Sequence, residues 1–301
     1  MSKDIIIDIE DRNPAGRILE SCVACDARDA FTYLNKDTLL LKCRKCGLVF
    51  RLPVPRDAYE HRVIRHYTEV DPALRVAESR QGLYKRFLDK IEHKKGMGER
   101  LLDIGCGKGY FLARAKEYGW QVEGVDIAPA LIDEGRALFG LELQCGNIRE
   151  MDLAGKRFDV ITIWNVLEET DDPAGVVQKC KTVLRPGGLL FIRTPNSWFH
   201  QAAMAFVAVV DRFGVKRWRA HQTFIFHRYS FSASVIKRLL HKAGYRHVTV
   251  CNSCPTAGDP YAVGAGVGGI KRFLYGVAQF AYWLTGRQVC LSSSIEVYAE
   301  L

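Results

Sequence analysis

Residues 101–112 read Leu-Leu-Asp-Ile-Gly-Cys-Gly-Lys-Gly-Tyr-Phe-Leu. An apolar run gives way to three alternating glycines, Gly105, Gly107 and Gly109, and then to an apolar pattern with helical spacing. The stretch predicts a strand, a tight turn and a helix N-terminus. Glycine suits such a turn because the backbone must take positive φ and let a ligand approach main-chain N–H groups. A carboxylate, Asp126, ends the next predicted strand, 121–126. At the C-terminal edge of a parallel sheet it can accept both hydroxyls of a ribose. The dinucleotide fingerprint G-x-G-x-x-G does not fit, because its third glycine, counted from Gly105, falls on Tyr110.

The pattern around this stretch alternates strand and helix. Strands are predicted at 100–104, 121–126, 141–145, 158–164 and 188–193, and helices at 109–118, 129–139 and 173–184. Cys145-Gly146-Asn147-Ile148 follows the third strand, and the fourth runs into Asn165-Val166-Leu167-Glu168-Glu169. Asp171-Asp172-Pro173 opens a helix, and Leu184-Arg185-Pro186-Gly187-Gly188 turns into the fifth strand. Taken in order, with Asp-x-Gly-x-Gly-x-Gly at 103–109, these segments resemble the class I S-adenosylmethionine (SAM)-dependent methyltransferases. The resemblance implies an α/β fold with a Rossmann-like, seven-stranded sheet, and SAM as cofactor. It assigns the methionine part to Gly105, Gly107 and Gly109, with Asp103 orienting the loop and the amino group. Asp126 would hold the ribose, and Cys106, Ile127 and Trp164 are further candidate cofactor-binding residues. Asn147 stands where relatives usually carry an acid for the adenine amino group, with Ile148 against the ring; an ordinary polar loop is the other reading of that position.

One departure concerns the chemistry. Relatives, including quinone-biosynthesis O-methyltransferases, often have Glu-His after the Val-Leu of the fourth-strand loop, and some bind a metal there. Here the pair is Glu168-Glu169, which removes a His ligand and one candidate base. Glu168 and Asn165 remain beside the expected methyl position. His227, in the His-x-x-x-Phe-Ser stretch at 227–232, is the preferred general base by resemblance; a structural histidine capping the turn is the alternative.

The N-terminal part carries a second signature. Cys22-Val-Ala-Cys25 and Cys43-Arg-Lys-Cys46 are separated by 17 residues, the spacing of a zinc ribbon. Two such knuckles complete a tetrahedron of thiolates around one ion. Four Cys ligands leave no open position, so the expected Zn2+ is structural, and in a module with little core it would stabilise the fold directly. Phe31-Thr-Tyr-Leu and Thr38-Leu-Leu-Leu read as a hairpin between the knuckles. The stretch resembles the zinc-binding region that precedes some methyltransferase domains, sugar C-methyltransferases among them.

The expected organisation is a ribbon-like module at 1–55, a linker and helical lid at 56–99, and the methyltransferase domain at 100–301. Leu83, Phe87, Leu88 and Ile91 mark one face of the lead-in helix; Tyr67 and Tyr84 are either pocket residues or helix packing. A sixth strand is expected at 245–251 and a seventh at 289–298. Apolar insertions near 198–219 and 262–287, with basic and aromatic edges, suit interfacial helices, walls of a greasy acceptor pocket, an accessory core or a dimer face. They are too short to span a bilayer. Ten cysteines without a secretory leader point to a reducing cytoplasm. The net charge of +9 fits an anionic partner or a mildly basic enzyme. The expected acceptor is a small molecule, such as a sugar, glycolipid or secondary metabolite, methylated on oxygen or carbon. A quinone or isoprenoid O-methyltransferase at the membrane surface is the nearest alternative. Nucleic acid is disfavoured, because the 165–168 loop is not the Asn/Asp-Pro-Pro-Tyr/Phe loop of base methylases and no long basic run is present.

Overall fold

The computed structural model describes residues 21–28, 30–35, 40–51, 72–92, 99–153, 155–212, 227–256 and 267–301. Tyr59, His66, Tyr67, Gly96 and the basic cluster at 216–219 lie outside them. In the N-terminal part, β1 (Phe31–Asn35), β2 (Leu40–Cys43) and β3 (Val49–Arg51) form antiparallel neighbours. Helix α1 (Pro72–Ile91) leads into the main sheet. There follow β4 (Arg100–Ile104), α2 (Tyr110–Glu117), β5 (Gln121–Asp126), α3 (Pro129–Phe139), β6 (Glu142–Cys145) and β7 (Phe158–Trp164). Then come α4 (Pro173–Val183), β8 (Leu184–Pro195), α5 (Ser197–Arg212), the two-residue β9 (Tyr229–Ser230) and α6 (Ala233–Ala243). The chain ends with β10 (His247–Asn252), α7 (Val267–Leu284) and β11 (Ser294–Glu300).

The main sheet has seven strands in the order β10-β11-β8-β7-β4-β5-β6. β6, β5, β4, β7 and β8 are parallel, while β11 inserts antiparallel between β8 and β10. β7 is buried along its whole length, as expected of a central strand covered on both faces. On one face, Leu101, Val160, Phe191 and Trp164 pack under Leu83, Tyr84, Phe87 and Leu88 of α1 and Phe111 of α2. On the other, Leu102, Ile161, Ile163 and Ile192 meet Val177 of α4 and Ile236 and Leu240 of α6.

The five parallel strands fall within a few residues of their predicted places. β8 begins at Leu184 rather than 188, because Leu184 pairs with Phe158 before the Arg-Pro-Gly-Gly stretch loops out and pairing resumes at Val160–Leu189. The last strand begins at Ser294 rather than 289. The preceding residues are held instead by side chains: Asn252 Oδ1 accepts from Leu291 N and Ser292 N, and Asn196 Nδ2 donates to the carbonyls of Cys290 and Ser292.

The N-terminal sheet does not close on itself. Its fourth strand is β9, from the far end of the sequence, paired antiparallel with β3 through Val49–Ser230 and Phe50–Tyr229. Arg51 N donates to Arg228 O at 3.0 Å. Leu41, Leu48 and Phe50 join the same apolar cluster as Tyr229, Phe231 and one face of the main sheet.

Candidate active site

The C-terminal ends of β4, β5, β6 and β7 and the turns that follow them carry the predicted cofactor residues together with Asn165 and Glu168. Gly105, Gly107 and Gly109 all adopt positive φ, and Gly109 caps the N-terminus of α2 in the left-handed region. A Cβ on Gly105 would overlap the Val166 methyls, whereas one on Gly107 would meet no atom within 4 Å. The loop is therefore packed at its base and open at its crest. Its shape is set by Asp126, whose Oδ2 accepts from Gly107 N at 2.8 Å and whose Oδ1 accepts from Ala128 N at 2.9 Å. Ile127 beside it is 47% exposed, a ready apolar shelf. Cys106 is turned inward against Gly124, and burial pushes its thiol far up.

Asp103 lies beneath the loop, 3% exposed, and accepts the Thr162 hydroxyl at 2.6 Å. Burial pushes its pKa up to about 8; the charge of Asp126 adds to the shift and the Thr162 hydrogen bond opposes it. Burial likewise raises Asp126. Two buried acids with raised pKa values ask for a cation and for hydroxyl donors, which is what an amino-acid and ribose-bearing ligand supplies. The donor set and the open glycine crest thus fit SAM. In the turn that follows β6, Ile148 is buried, and Asn147 Oδ1 accepts from Arg149 N at 3.1 Å. Trp164 is buried among Tyr84, Phe87, Phe111 and Phe191. Its Nε1 has no hydrogen-bond partner among the described residues. Tyr84, 5% exposed, contributes to this packing.

Asn165 follows β7 at φ +57°, a left-handed conformation that asparagine tolerates better than most residues. Its Nδ2 donates to Glu168 Oε1 at 3.1 Å, and its Oδ1 accepts from Arg193 Nη1. Arg193 Nε donates to Ser253 Oγ at 3.0 Å, and that hydroxyl donates to Glu296 Oε1 at 3.0 Å. Tyr298 OH donates to the other Glu296 oxygen at 3.0 Å. The chain of bonds ends at Glu168, 1% exposed, whose Oε2 has no partner among the described residues. Burial, with the charge of Arg80, lowers Arg193 to about 10, while Glu296 and Glu168 oppose that shift. Arg193 was missed from sequence. Its signal was a lone cation closing the apolar run Leu-Leu-Phe-Ile at 189–192.

His227 does not meet Glu168 directly. Its Nδ1 is bonded to Glu169 Oε1, on the short 3-10 turn Leu167–Glu169. Burial works against the charged imidazole, but the Glu169 hydrogen bond and the charges of Glu169 and Glu168 outweigh it and raise the pKa above its ordinary value. His200 of α5 lies close enough to feel His227, and burial lowers it to about 4, so it is neutral at physiological pH. Glu169 was the second residue missed; it is the one that orients the histidine.

Away from this edge, the sulfurs of Cys22, Cys25, Cys43 and Cys46 all lie within 4.8 Å of one another. Cys22–Cys46 and Cys25–Cys43 are 3.6 and 3.7 Å apart. Zn–S bonds of about 2.3 Å place the corners of a tetrahedron about 3.8 Å apart, so the cluster has the size a zinc ion needs. Cys251 and Cys254 join no such group; among the described residues the four N-terminal thiols form the one cluster that could hold a metal.

Comparison with known proteins places this geometry. The family described as "Methyltransferase domain" matches residues 76–250, more than half of the chain, and the protein belongs to that family. Ubiquinone biosynthesis O-methyltransferase of Coxiella burnetii is 34% identical over 107 residues, 34% of this chain and 46% of that protein. The enzyme of the same name from a Bradyrhizobium species is 36% identical over 115 residues, 36% of this chain and 45% of its own length. The chain thus spans about half the length of the curated relatives it matches. Among solved structures, a plantazolicin methyltransferase in complex with S-adenosylhomocysteine superposes with a TM-score of 0.50 at 17% identity, over 81% of this chain and 96% of that one. A SAM-dependent methyltransferase of Thermotoga maritima gives 0.50 at 15%, over 79% and 98%. At these identities the likeness is one of fold, the Rossmann-like SAM-methyltransferase sheet.

Proposed function

We propose that this chain is a SAM-dependent methyltransferase acting on a hydroxyl of a small molecule. The observation that carries the reading is Asp126, which braces the open crest of the glycine loop through Gly107 and stands at the edge of β5. In that reading Gly105, Gly107 and Gly109 hold the methionine part, Asp103 takes the amino group, and Asp126 takes the ribose hydroxyls. Cys106 packs behind the loop. Ile127, Asn147 and Ile148 flank the adenine, and Trp164 closes the aromatic wall under α1. SAM, when bound, supplies an electrophilic methyl group for in-line displacement.

The remaining work falls to the chain. An acceptor hydroxyl must be held in line and lose its proton. Glu169 fixes the tautomer of His227 by accepting a hydrogen bond from Nδ1–H, so that Nε2 presents its lone pair as the base. Glu168 Oε2, buried and free of partners among the described residues, accepts a hydrogen bond from the acceptor, and Asn165 holds that carboxylate in place. The same histidine–carboxylate pair serves a sugar, a glycolipid or another secondary metabolite. A quinone or isoprenoid phenol is the second reading, favoured by the similarity to ubiquinone O-methyltransferases. The four-cysteine cluster binds a structural zinc ion, and the enzyme works in the cytoplasm.

Calorimetric titration with SAM and with S-adenosylhomocysteine tests the reading. Both bind the wild type, and Asp126→Ala weakens both by roughly tenfold or more, as loss of a bidentate charged contact requires. Absence of binding to folded, metal-replete protein overturns it.

A further inference from the structure

Helix α7 turns most of its large apolar side chains to solvent. Phe273 and Trp283 are each 71% exposed, Leu284 67% and Phe280 63%, with Val277 and Leu274 about half exposed. Phe273, Val277, Phe280 and Leu284 follow one another at helical spacing along a single line. The opposite side is committed: Asn252 Nδ2 donates to Ala278 O at 2.9 Å, and Tyr282 OH donates to Val250 O at 3.1 Å, which seats the helix on β10. The stripe is therefore a surface of the folded protein, and contiguous exposed aromatic and aliphatic side chains of this kind mark interaction sites.

Its charge says what it meets. Residues 267–293 contain no Asp or Glu, while Arg272 and Arg287 bracket the apolar stripe. Arg272 and Arg287 are exposed. Two copies of this helix, packed face to face in either direction, would bring like charges together with no acid in the segment to pair them. An anionic bilayer presents the opposite charge along a whole plane, and accepts aromatic and aliphatic side chains a few ångströms below it. We propose that the outward face of α7 docks on an anionic membrane surface.

The surface borders the catalytic edge. Ser294 pairs with Pro195, so the turn between α7 and β11 lies at the same end of the sheet as the β8 terminus. That turn exposes Val289 and Leu291. Asn196, bonded to the carbonyls of Cys290 and Ser292, ties it to the start of α5, where Trp198 is 63% exposed. Docked this way, the protein opens its acceptor side toward the lipid headgroups, and the class of acceptor it reaches is one with a lipid tail. This last step rests on the methyltransferase reading, whereas the docking surface does not.

The test is co-sedimentation of the full, metal-replete chain with vesicles of phosphatidylcholine alone or mixed with phosphatidylglycerol, with circular dichroism as the check on the fold and SAM titration read beside it. The wild type partitions onto the anionic vesicles and not onto the neutral ones. Phe280→Glu with Trp283→Glu, and separately Arg272→Glu with Arg287→Glu, reduce that partition by roughly tenfold or more, with SAM binding unchanged. Absence of binding to anionic vesicles overturns the proposal, as does binding that survives both pairs of substitutions. A wild-type dimer in ultracentrifugation that the same substitutions dissociate, without vesicle binding, overturns it in favour of a second copy. Failure of SAM binding with vesicle binding intact removes the catalytic reading and leaves the docking surface standing.

Discussion

Asp103 sits under the glycine loop with a pKa near 8 because burial penalises its charge more than the Thr162 hydroxyl relieves it. An unfolded aspartate titrates near 4, so between about 4 and about 8 the native protein retains a proton that the unfolded chain has released. Stability from this group is therefore present at the acid end of that window and lost as pH rises through it. Asp103→Asn removes the titration. The unliganded variant should melt at least as high as wild type above about pH 8, with a flatter pH dependence. Its SAM affinity should fall by roughly tenfold or more, because a neutral amide cannot pair the cofactor's amino group. Thermal melts across the window, beside calorimetry, check both halves. Residues of this kind were legible in the sequence because the glycine spacing and the strand-end acids are local patterns. Arg193 and Glu169 were not, since each finds its partner tens of residues away, Asn165 for Arg193 and His227 for Glu169.

Among the elements, the regular ones were readable and the shortest was not. β5 and β7 carry enough apolar residues to announce themselves, and the ribbon announces itself by its cysteines. β9 has two residues and no periodicity, yet it covers the otherwise open edge of β3 and carries His227 two positions upstream of its start. Its place is set by long-range pairing, which no local pattern encodes. Tyr229 OH reaches Asp171 O at 3.4 Å, so β9 is tied both to the ribbon and to the loop that follows the Leu167–Glu169 turn. This bracing lets the imidazole meet Glu169. A base must be neutral to work, so activity should fall on the acid side with an apparent pKa above about 6.5, the ordinary histidine value. Glu169→Gln removes the charge that raises it and should move that limb to lower pH, with kcat/KM down by roughly tenfold or more. An acid limb unchanged in the variant would assign the base elsewhere.

For the whole molecule, the ribbon and the main sheet share packing. Cys22, Cys43, Leu48 and Phe50 share one continuous apolar cluster with Tyr229, Phe231, α6 and the main sheet. The ribbon's Lys42 donates to Gln201 of α5 at 3.1 Å, and Lys242 of α6 pairs with Asp26. Elements joined by a common core open together rather than one after another. Metal held by the four thiolates is lost on unfolding and so stabilises whatever unfolds with them. Calorimetric melting of the metal-loaded chain should accordingly show a single transition. Chelation should move that whole transition downward rather than release a small early one. Even about 2 kcal/mol of metal-linked stability displaces Tm by roughly 3 °C in a cooperative unit of about 300 residues. A small, separate, chelator-sensitive transition beside an unmoved main one would show that the ribbon folds alone, and that β3 and β9 pair without coupling the two.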